Sequence, residues 1–216
     1  MKYIVGFILF SVVLSFDEQE EIGFLYGVLG RMDSKDIKHM ILQDSSIIYT
    51  GDEVRINAGY KKESHFYVIY KGSQGELDLL YPYNNEIGDN LADLPDTIYT
   101  TILSWSAFSD PPGYETFYLI NSISIQENLE NLFKRYNKVK EKGRKKLAKQ
   151  IQNEIDNLDP EKKQNLSSIG SRLNKPVVGG VTFRGEDEDE LKDISLTDSC
   201  MGSSGIAFKK ILLDHK

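Results

Sequence analysis

The chain has 216 residues, of which 40% are hydrophobic and 11% aromatic, and its formal net charge is −7. This hydrophobic content excludes an intrinsically disordered chain, and the length suits one domain with an appendage. The acidic balance disfavours nonspecific binding of the whole protein to nucleic acid. The one cysteine, Cys200, allows no internal disulfide, and we interpret it as a buried small side chain, with a reactive thiol as the alternative.

The first 15 residues have the pattern of a signal peptide. Lys2 precedes the apolar run Tyr3–Leu14, whose 12 residues are fewer than the roughly 20 that span a bilayer. The small side chains at its end predict cleavage after Ser15. We therefore expect an exported protein of the cell envelope, either periplasmic or secreted. An uncleaved anchor is the alternative.

Alternating apolar side chains bounded by turn residues predict a series of short strands in the first half of the chain. A tight hairpin is predicted at 72–75, where two glycines permit the turn. Pro82 ends the strand that follows, because it has no N–H for a ladder. The predicted strands cover residues 21–30, 41–42, 47–49, 53–58, 65–71 and 77–81.

A set of motifs runs in a fixed order through the same part of the chain. Its residues are Gly51, Asp52, Val54, Arg55, Ile56, Tyr67, Val68, Tyr70, Gly75, Leu79, Leu80, Tyr81 and Pro82, followed by Pro112, Gly113, Tyr114 and Glu115. This order resembles the bacterial domain-of-unknown-function family 4384 over about residues 22–124. The resemblance implies a non-catalytic β module of exported proteins, and it carries over no catalytic or binding residue. Such modules are elsewhere joined to caspase-like peptidase or kinase domains, and the present sequence shows neither.

The segment 83–96 is rich in asparagine, aspartate and glycine, which predicts a long loop. Strands are predicted after it at 98–105 and 114–120. Many short strands separated by turns indicate a mainly β fold, an antiparallel β-sandwich-like module over residues 16–124.

A basic helical insertion is predicted over residues 125–175, where the apolar spacing changes to that of a helix. Ser124 is a candidate N-cap, with Glu127 as its capping-box partner. We expect either a helical hairpin or one long helix standing off the β module, bent at Gly143 and broken at Pro160. An accessory subunit would leave the apolar stripe of this insertion exposed for a partner helix; the stripe comprises Leu129, Leu132, Phe133, Tyr136 and Val139.

Strand patterns return in residues 176–216, at 177–183 and 206–213. Because this pair follows the insertion, we expect it to rejoin the same sheet, which gives an α+β fold overall. Between them lie five consecutive acids, Glu186–Glu190, without the residue order of an EF-hand loop. We interpret them as a solvated loop; a Ca²⁺ site and pairing with the basic helix are alternatives.

Residues 134–149 contain nine basic side chains and one acid, Glu141, which gives this segment a net charge of +8. Two interpretations are open: a solvated helical face, or a surface that docks to an anionic envelope component or an acidic protein. Export and the acidic remainder of the chain disfavour nucleic acid as the partner. The candidate interaction residues are Lys134, Arg135, Lys138, Lys142, Arg144, Lys145, Lys146 and Lys149.

Recognisable catalytic and cofactor motifs are absent from the sequence. It contains no Walker loop, no dinucleotide-binding fingerprint and no nucleophile elbow, and its three histidines are far apart. We therefore expect a non-enzymatic envelope protein, without cofactor or metal, that acts as a protein- or surface-interaction module. The first alternative is an extracytoplasmic hydrolase with an unrecognised site drawn from Asp52, His65, Tyr67 or Cys200. The second is the structural accessory subunit.

Overall fold

The computed structural model describes residues 21–32, 37–82, 96–164, 181–183, 194–202 and 204–216. The helices in these ranges are α1 (Glu127–Tyr136), α2 (Glu141–Leu158) and α3 (Pro160–Gln164). The strands are β1 (Ile22–Met32), β2 (Ile37–Ile41), β3 (Ser46–Ile48), β4 (Glu53–Lys61), β5 (His65–Lys71), β6 (Leu77–Tyr81), β7 (Thr97–Ala107), β8 (Gly113–Ser122), β9 (Val181–Phe183), β10 (Ile194–Leu196), β11 (Asp198–Gly202) and β12 (Ile206–His215).

Most strands belong to two sheets. The first has the order β11-β1-β4-β7, with β2 also paired to β1, and the second has the order β3-β12-β8-β5-β6. Their pairings are antiparallel except that of β3 with β12, which is parallel. Strands β9 and β10 form a separate two-stranded ladder. The predicted mainly β class, with antiparallel-rich sheets and few helices, is confirmed.

The inner core lies between the two sheets. Successive side chains of a strand point to opposite faces, so Phe66 and Val68 of β5 face the first sheet while Tyr67 and Ile69 face away from it. Both sheets contribute large buried side chains to this layer, among them Phe24, Tyr26, Val54, Ile56, Phe117, Leu119, Ile211 and Leu213.

The helices cover the outer face of the second sheet. Leu129 and Phe133 of α1 and Ile151 of α2 are buried together with Tyr67 and Ile69 of β5. We call this group the helix-covered cluster. The prediction that the helices stand off the β module is therefore wrong. The apolar stripe is not exposed for a partner helix either, because this sheet is apolar on both faces and its outer face needs a cover. Of the stripe, Leu129, Phe133 and Tyr136 are buried, and Leu132 and Val139 are partly buried.

The start of α1 is fixed by a contact with the sheet. The predicted capping box of Ser124 and Glu127 is wrong, because Gln126 is the N-cap residue and makes no side-chain cap bond. Instead the backbone N–H of Gln126 donates to the Tyr67 hydroxyl at 3.0 Å, and that hydroxyl donates to Glu130 at 3.0 Å. A tyrosine of the sheet thus satisfies the helix end that a local cap would otherwise satisfy.

The break between the helices falls at residues 137–140, and not at Gly143, which lies in the first turn of α2. Pro160 opens α3, as its fixed φ favours. The predicted signal peptide, most of the 83–96 loop, the first part of the strand at 177–183 and the acidic run Glu186–Glu190 lie outside the described residues.

The prediction that both C-terminal strands rejoin the same sheet holds for β12, which lies inside the second sheet between β3 and β8. It is wrong for β9, whose described residues pair with β10 in a separate ladder. Ala207, Ile211 and Leu213 face the inner core, while Ile206 and Phe208 pack against the helix-covered cluster. Strand β11, which pairs with β1, was not predicted, because its residues are mostly small or polar.

We predict that Ile151→Ala, which opens a cavity at a side chain with no exposed surface, lowers the free energy of unfolding by about 2–5 kcal/mol. Ile125→Ala is the matched control, because half of that side chain is exposed and its removal changes stability by about 0.5 kcal/mol or less. Urea unfolding followed by fluorescence of Trp105, the one tryptophan, reports on the first sheet. An unchanged Trp105 transition in Ile151→Ala would show that helices and sandwich unfold independently.

Candidate interaction surface

The basic residues predicted as an interaction surface all lie on the exposed side of α1, α2 and the turn between them. We call these eight the basic corner: Lys134, Arg135, Lys138, Lys142, Arg144, Lys145, Lys146 and Lys149. Each is exposed, whereas the apolar residues between them, such as Tyr136 and Leu147, are buried against the sheet. The packing of the helices on the sheet therefore turns these charges outward.

Four lysines of α2 form a stripe opposite its buried side. Lys142, Lys145, Lys146 and Lys149 follow the spacing of one helical face. At about 100° per residue this face lies roughly 180° from the buried stripe, which comprises Leu147, Ile151, Ile155 and Leu158. Over its first half the helix therefore carries four lysines on the side opposite Leu147 and Ile151.

Few acids neutralise the basic corner. Lys134 pairs with Glu130 at 3.6 Å, and the Arg144 guanidinium lies 5.5 Å from the centre of the Tyr136 ring. The pKa of Asp78 is raised, first by burial and then by Glu76, and the Arg144 guanidinium partly offsets this rise. Among the residues that the structure describes, no carboxylate lies within 4.0 Å of the other six basic groups.

The position of the stripe is unfavourable for the helix itself. Positive charge is stabilising at a helix C-terminus, but these lysines lie in the N-terminal half of α2, and its last turn has no basic residue. The stripe also contains four like-charged pairs at spacings of three or four residues, each of which costs about 0.2–0.5 kcal/mol. In α1 the charges have the favourable order, with Glu127 in the first turn and Arg135 in the last. Helix stability therefore does not explain the lysines of α2.

The residues considered for a hydrolase site do not converge. Asp52 lies in the turn before β4, Cys200 lies on β11 of the first sheet, and Tyr67 points to α1. Over the described parts of the chain, no hydrogen bond or ion pair joins any two of Asp52, His65, Tyr67 and Cys200. The Cys200 thiol is directed at the Phe208 carbonyl oxygen at 3.3 Å, and burial raises its pKa to about 11.

A buried polar chain at one end of the second sheet brings together residues that the sequence analysis did not connect. Glu115 Oε2 accepts a hydrogen bond from the Tyr70 hydroxyl at 2.6 Å, and Glu115 Oε1 lies 3.3 Å from His215 Nδ1. His215 Nε2 lies 3.0 Å from the Thr50 hydroxyl, which donates to Asp110 at 2.8 Å. The strand alternation carried a signal for two of them, because Glu115 shares the inward face with Phe117 and His215 shares it with Leu213.

Burial at this site keeps the tyrosine protonated. The pKa of Tyr70 is raised, first by burial and then by the hydrogen bond to Glu115, so its phenol remains a donor at neutral pH. The carboxylate of Glu115 is 3% exposed and the imidazole of His215 is 0% exposed. Groups buried this deeply are stable only when hydrogen-bonded, and each has a partner here.

Within the described ranges, no three histidine, cysteine or acidic side chains lie close enough together to hold a metal ion. None of the helices in those ranges is both long and apolar enough to cross a bilayer. Comparison with known proteins gives no match to the chain among family models, curated proteins or solved structures.

We predict that Cys200 reacts slowly with iodoacetamide at pH 8 in the folded protein, because a thiol with a pKa of about 11 carries little thiolate there. The rate should rise steeply toward pH 11, and unfolding in urea should raise the pH 8 rate to that of an exposed cysteine. Mass spectrometry of the alkylated protein measures both. Rapid alkylation of the folded chain at pH 8 would show the reactive thiol instead.

We predict that Lys142→Glu raises the free energy of unfolding by about 0.3–1 kcal/mol, because it replaces an unfavourable charge in the first turn of α2 with a favourable one. Lys142→Gln, which removes only the repulsion, should fall between the two. Urea unfolding at about 0.1 M and about 1 M salt measures the order and its screening. A less stable Lys142→Glu variant would contradict this account of the stripe.

Proposed function

We propose that the chain is an exported, non-enzymatic interaction module of the bacterial envelope, which docks through the basic corner to an acidic partner. The observation that carries the proposal is the lysine stripe of α2, which lies opposite the buried side of the helix and in the half of the helix where positive charge is unfavourable. A surface that is kept at a cost to stability is better explained by a partner than by solvation.

The charge distribution of the chain supports docking in one orientation. Residues 134–149 carry +8 while the whole chain carries −7, so the other residues together carry −15. A molecule with such an asymmetry is turned by the field of an anionic surface, so that its positive side approaches first. The acidic remainder is repelled by the same surface, which restricts docking to the basic corner.

The chemistry of the basic corner indicates what kind of partner fits. Six of its eight residues are lysines, which act as point charges, and two are arginines, which can bind a carboxylate or phosphate in a bidentate way. A spread of point charges suits a partner with distributed negative charge, such as an anionic bilayer surface, an envelope polymer or an acidic protein face. The predicted signal peptide and the resemblance to family 4384 support the envelope as the place of action.

The two alternative functions, accessory subunit and hydrolase, have different support. An accessory subunit that offers its apolar helix stripe to a partner is not supported, because Leu129, Phe133 and Tyr136 are buried in the chain's own cluster. A hydrolase drawn from the sequence candidates is not supported by their dispersed positions. A specific observation nevertheless favours a catalytic role as a second candidate: the chain of Glu115, His215 and Thr50.

We predict that Lys145→Glu/Lys149→Glu weakens binding to vesicles of an anionic phospholipid at least ~30-fold, since each lysine near such a surface contributes about 1 kcal/mol. The control is Lys61→Glu/Lys210→Glu, which makes the same change in net charge at exposed positions of β4 and β12. Vesicle co-sedimentation measures both, and neutral vesicles serve as the blank.

Raising salt from about 0.1 M to about 1 M shortens the Debye length from ~10 Å to ~3 Å and should abolish binding of the wild type. Equal losses in the two double variants would show that net charge alone matters. Binding that resists salt would contradict electrostatic docking. If anionic vesicles are not bound at low salt, crosslinking in the native cell with and without Lys145→Glu/Lys149→Glu tests for an acidic protein partner.

A further inference from the structure

The polar chain at the end of the second sheet joins a buried carboxylate, a buried imidazole and an exposed hydroxyl in sequence. Glu115 and His215 are almost fully enclosed, while Thr50 is exposed at the surface. The two links measure 3.3 Å from Glu115 Oε1 to His215 Nδ1 and 3.0 Å from His215 Nε2 to Thr50 Oγ1. Only the hydroxyl end of this chain is open to a molecule from solvent.

The hydrogen-bond partners of Glu115 determine the tautomer of the imidazole. An ionised carboxylate can only accept, and Tyr70 already donates to its second oxygen at 2.6 Å. The proton of a neutral His215 therefore lies on Nδ1, where it is donated to Glu115. The lone pair of Nε2 then faces Thr50 Oγ1 at 3.0 Å, while the hydroxyl proton is donated to Asp110, so a rotation of this hydroxyl gives the arrangement that a general base requires.

The hydroxyl is held on a rigid turn beside open space. The turn at 49–52 is closed by the N–H of Asp52 donating to the Tyr49 carbonyl, and it is tied to Phe108 by two backbone hydrogen bonds. The ring of Phe108 in turn packs on His215, with 5.8 Å between the ring centres. Gly51 follows Thr50 with φ of +92°, and an added Cβ there would meet no atom within 4 Å. The Thr50 side chain is itself exposed, so a molecule from solvent can reach it.

We propose that Thr50 is a nucleophile that attacks carboxylic esters, with His215 as its general base and Glu115 as the positioning residue. The Thr50 proton passes to His215 Nε2 as Thr50 Oγ1 bonds to the ester carbonyl carbon. The ester C–O bond then breaks, and the leaving alcohol takes the proton from Nε2. Water then attacks the acyl-threonine and gives a proton to His215 Nε2, which returns it to Thr50 Oγ1 as the acid leaves. In sum, ester and water give acid and alcohol.

Charges around the site indicate the substrate class. Asp110 lies 2.8 Å from the Thr50 hydroxyl, Asp52 is buried in the same turn, and Glu115 lies behind the imidazole. Such a setting repels anions, so the ester should be neutral or cationic.

The expected effect of replacing Asp110 distinguishes this proposal from a purely structural hydrogen-bond network. Its carboxylate competes with His215 for the Thr50 proton, and it opposes the negative charge that develops on the carbonyl oxygen. Replacing it with the isosteric asparagine removes both effects. Asp110→Asn should therefore raise the reactivity of Thr50.

The experiment treats the purified full chain with a fluorophosphonate probe and assays hydrolysis of p-nitrophenyl butyrate. We expect labelling of the peptide that contains Thr50. Thr50→Val, an isosteric surface change, should abolish labelling and lower hydrolysis at least roughly 10²-fold, while Thr50→Ser retains both. Asp110→Asn should raise labelling several-fold. Glu115→Gln should lower kcat and leave KM nearly unchanged, because Glu115 orients the imidazole and does not contact the ester.

Absence of labelling in the wild type, or equal labelling in Thr50→Val, would overturn the proposal and leave a non-enzymatic module. Equal unfolding midpoints of wild type, Thr50→Val and Asp110→Asn exclude misfolding as the cause of any difference. This inference replaces the non-enzymatic part of the proposed function and leaves the docking part unchanged, because the basic corner shares no residue with Thr50, His215 or Glu115. Lys145→Glu/Lys149→Glu should be labelled like wild type, and Thr50→Val should bind anionic vesicles like wild type.

Discussion

The second sheet is buried on both faces, and the rest of the structure depends on that burial. Its strand β5 sends Phe66 and Val68 to the inner core and Tyr67 and Ile69 to the helix-covered cluster. Each large apolar side chain buried in this way contributes about 1.5–3 kcal/mol, so neither layer is dispensable. The outer layer fixes the rotation of α2 and thereby directs its lysines outward. The inner layer encloses Glu115 and His215 and leaves Thr50 at the rim.

Much of the fold follows from local patterns in the sequence. The alternation in residues 65–71 and 206–213 predicts strands, because period-two spacing of apolar groups is a local property. The position of the helices could not be predicted from any one segment. It follows from the fact that β5 and β8 are apolar on both faces, because such a sheet needs a second layer to cover it. Strand β11 was not predictable, because Asp198–Gly202 pairs with β1 through its backbone and has little apolar pattern of its own.

The two candidate sites also differ in how far local sequence patterns predict them. The residues of the basic corner could be listed from the sequence, because they lie in one contiguous run of charge. That the lysine stripe lies opposite the buried side of α2 became clear only once the helix boundaries were known. The chain from Glu115 to Thr50 joins residues separated by 100 and 165 positions, and no local motif connects them, although Glu115 ends the motif at 112–115. Its one sequence signal was a polar residue at an inward position of an otherwise apolar strand. The helix cap supplied by Tyr67 escaped prediction for a related reason, since a hydroxyl 59 residues away replaced a local side chain.

The place of β12 in the second sheet has a consequence for how the chain is made. This strand is formed by residues 206–215, yet it fills the gap between β3 and β8 and is needed to join them. Synthesis runs from the N-terminus, so β8 keeps an open edge until these residues leave the ribosome. Pairings of such long sequence separation also form slowly. The sandwich therefore cannot close on an incomplete chain, and a product that stops before residue 206 presents an unpaired apolar edge that proteases and chaperones can recognise.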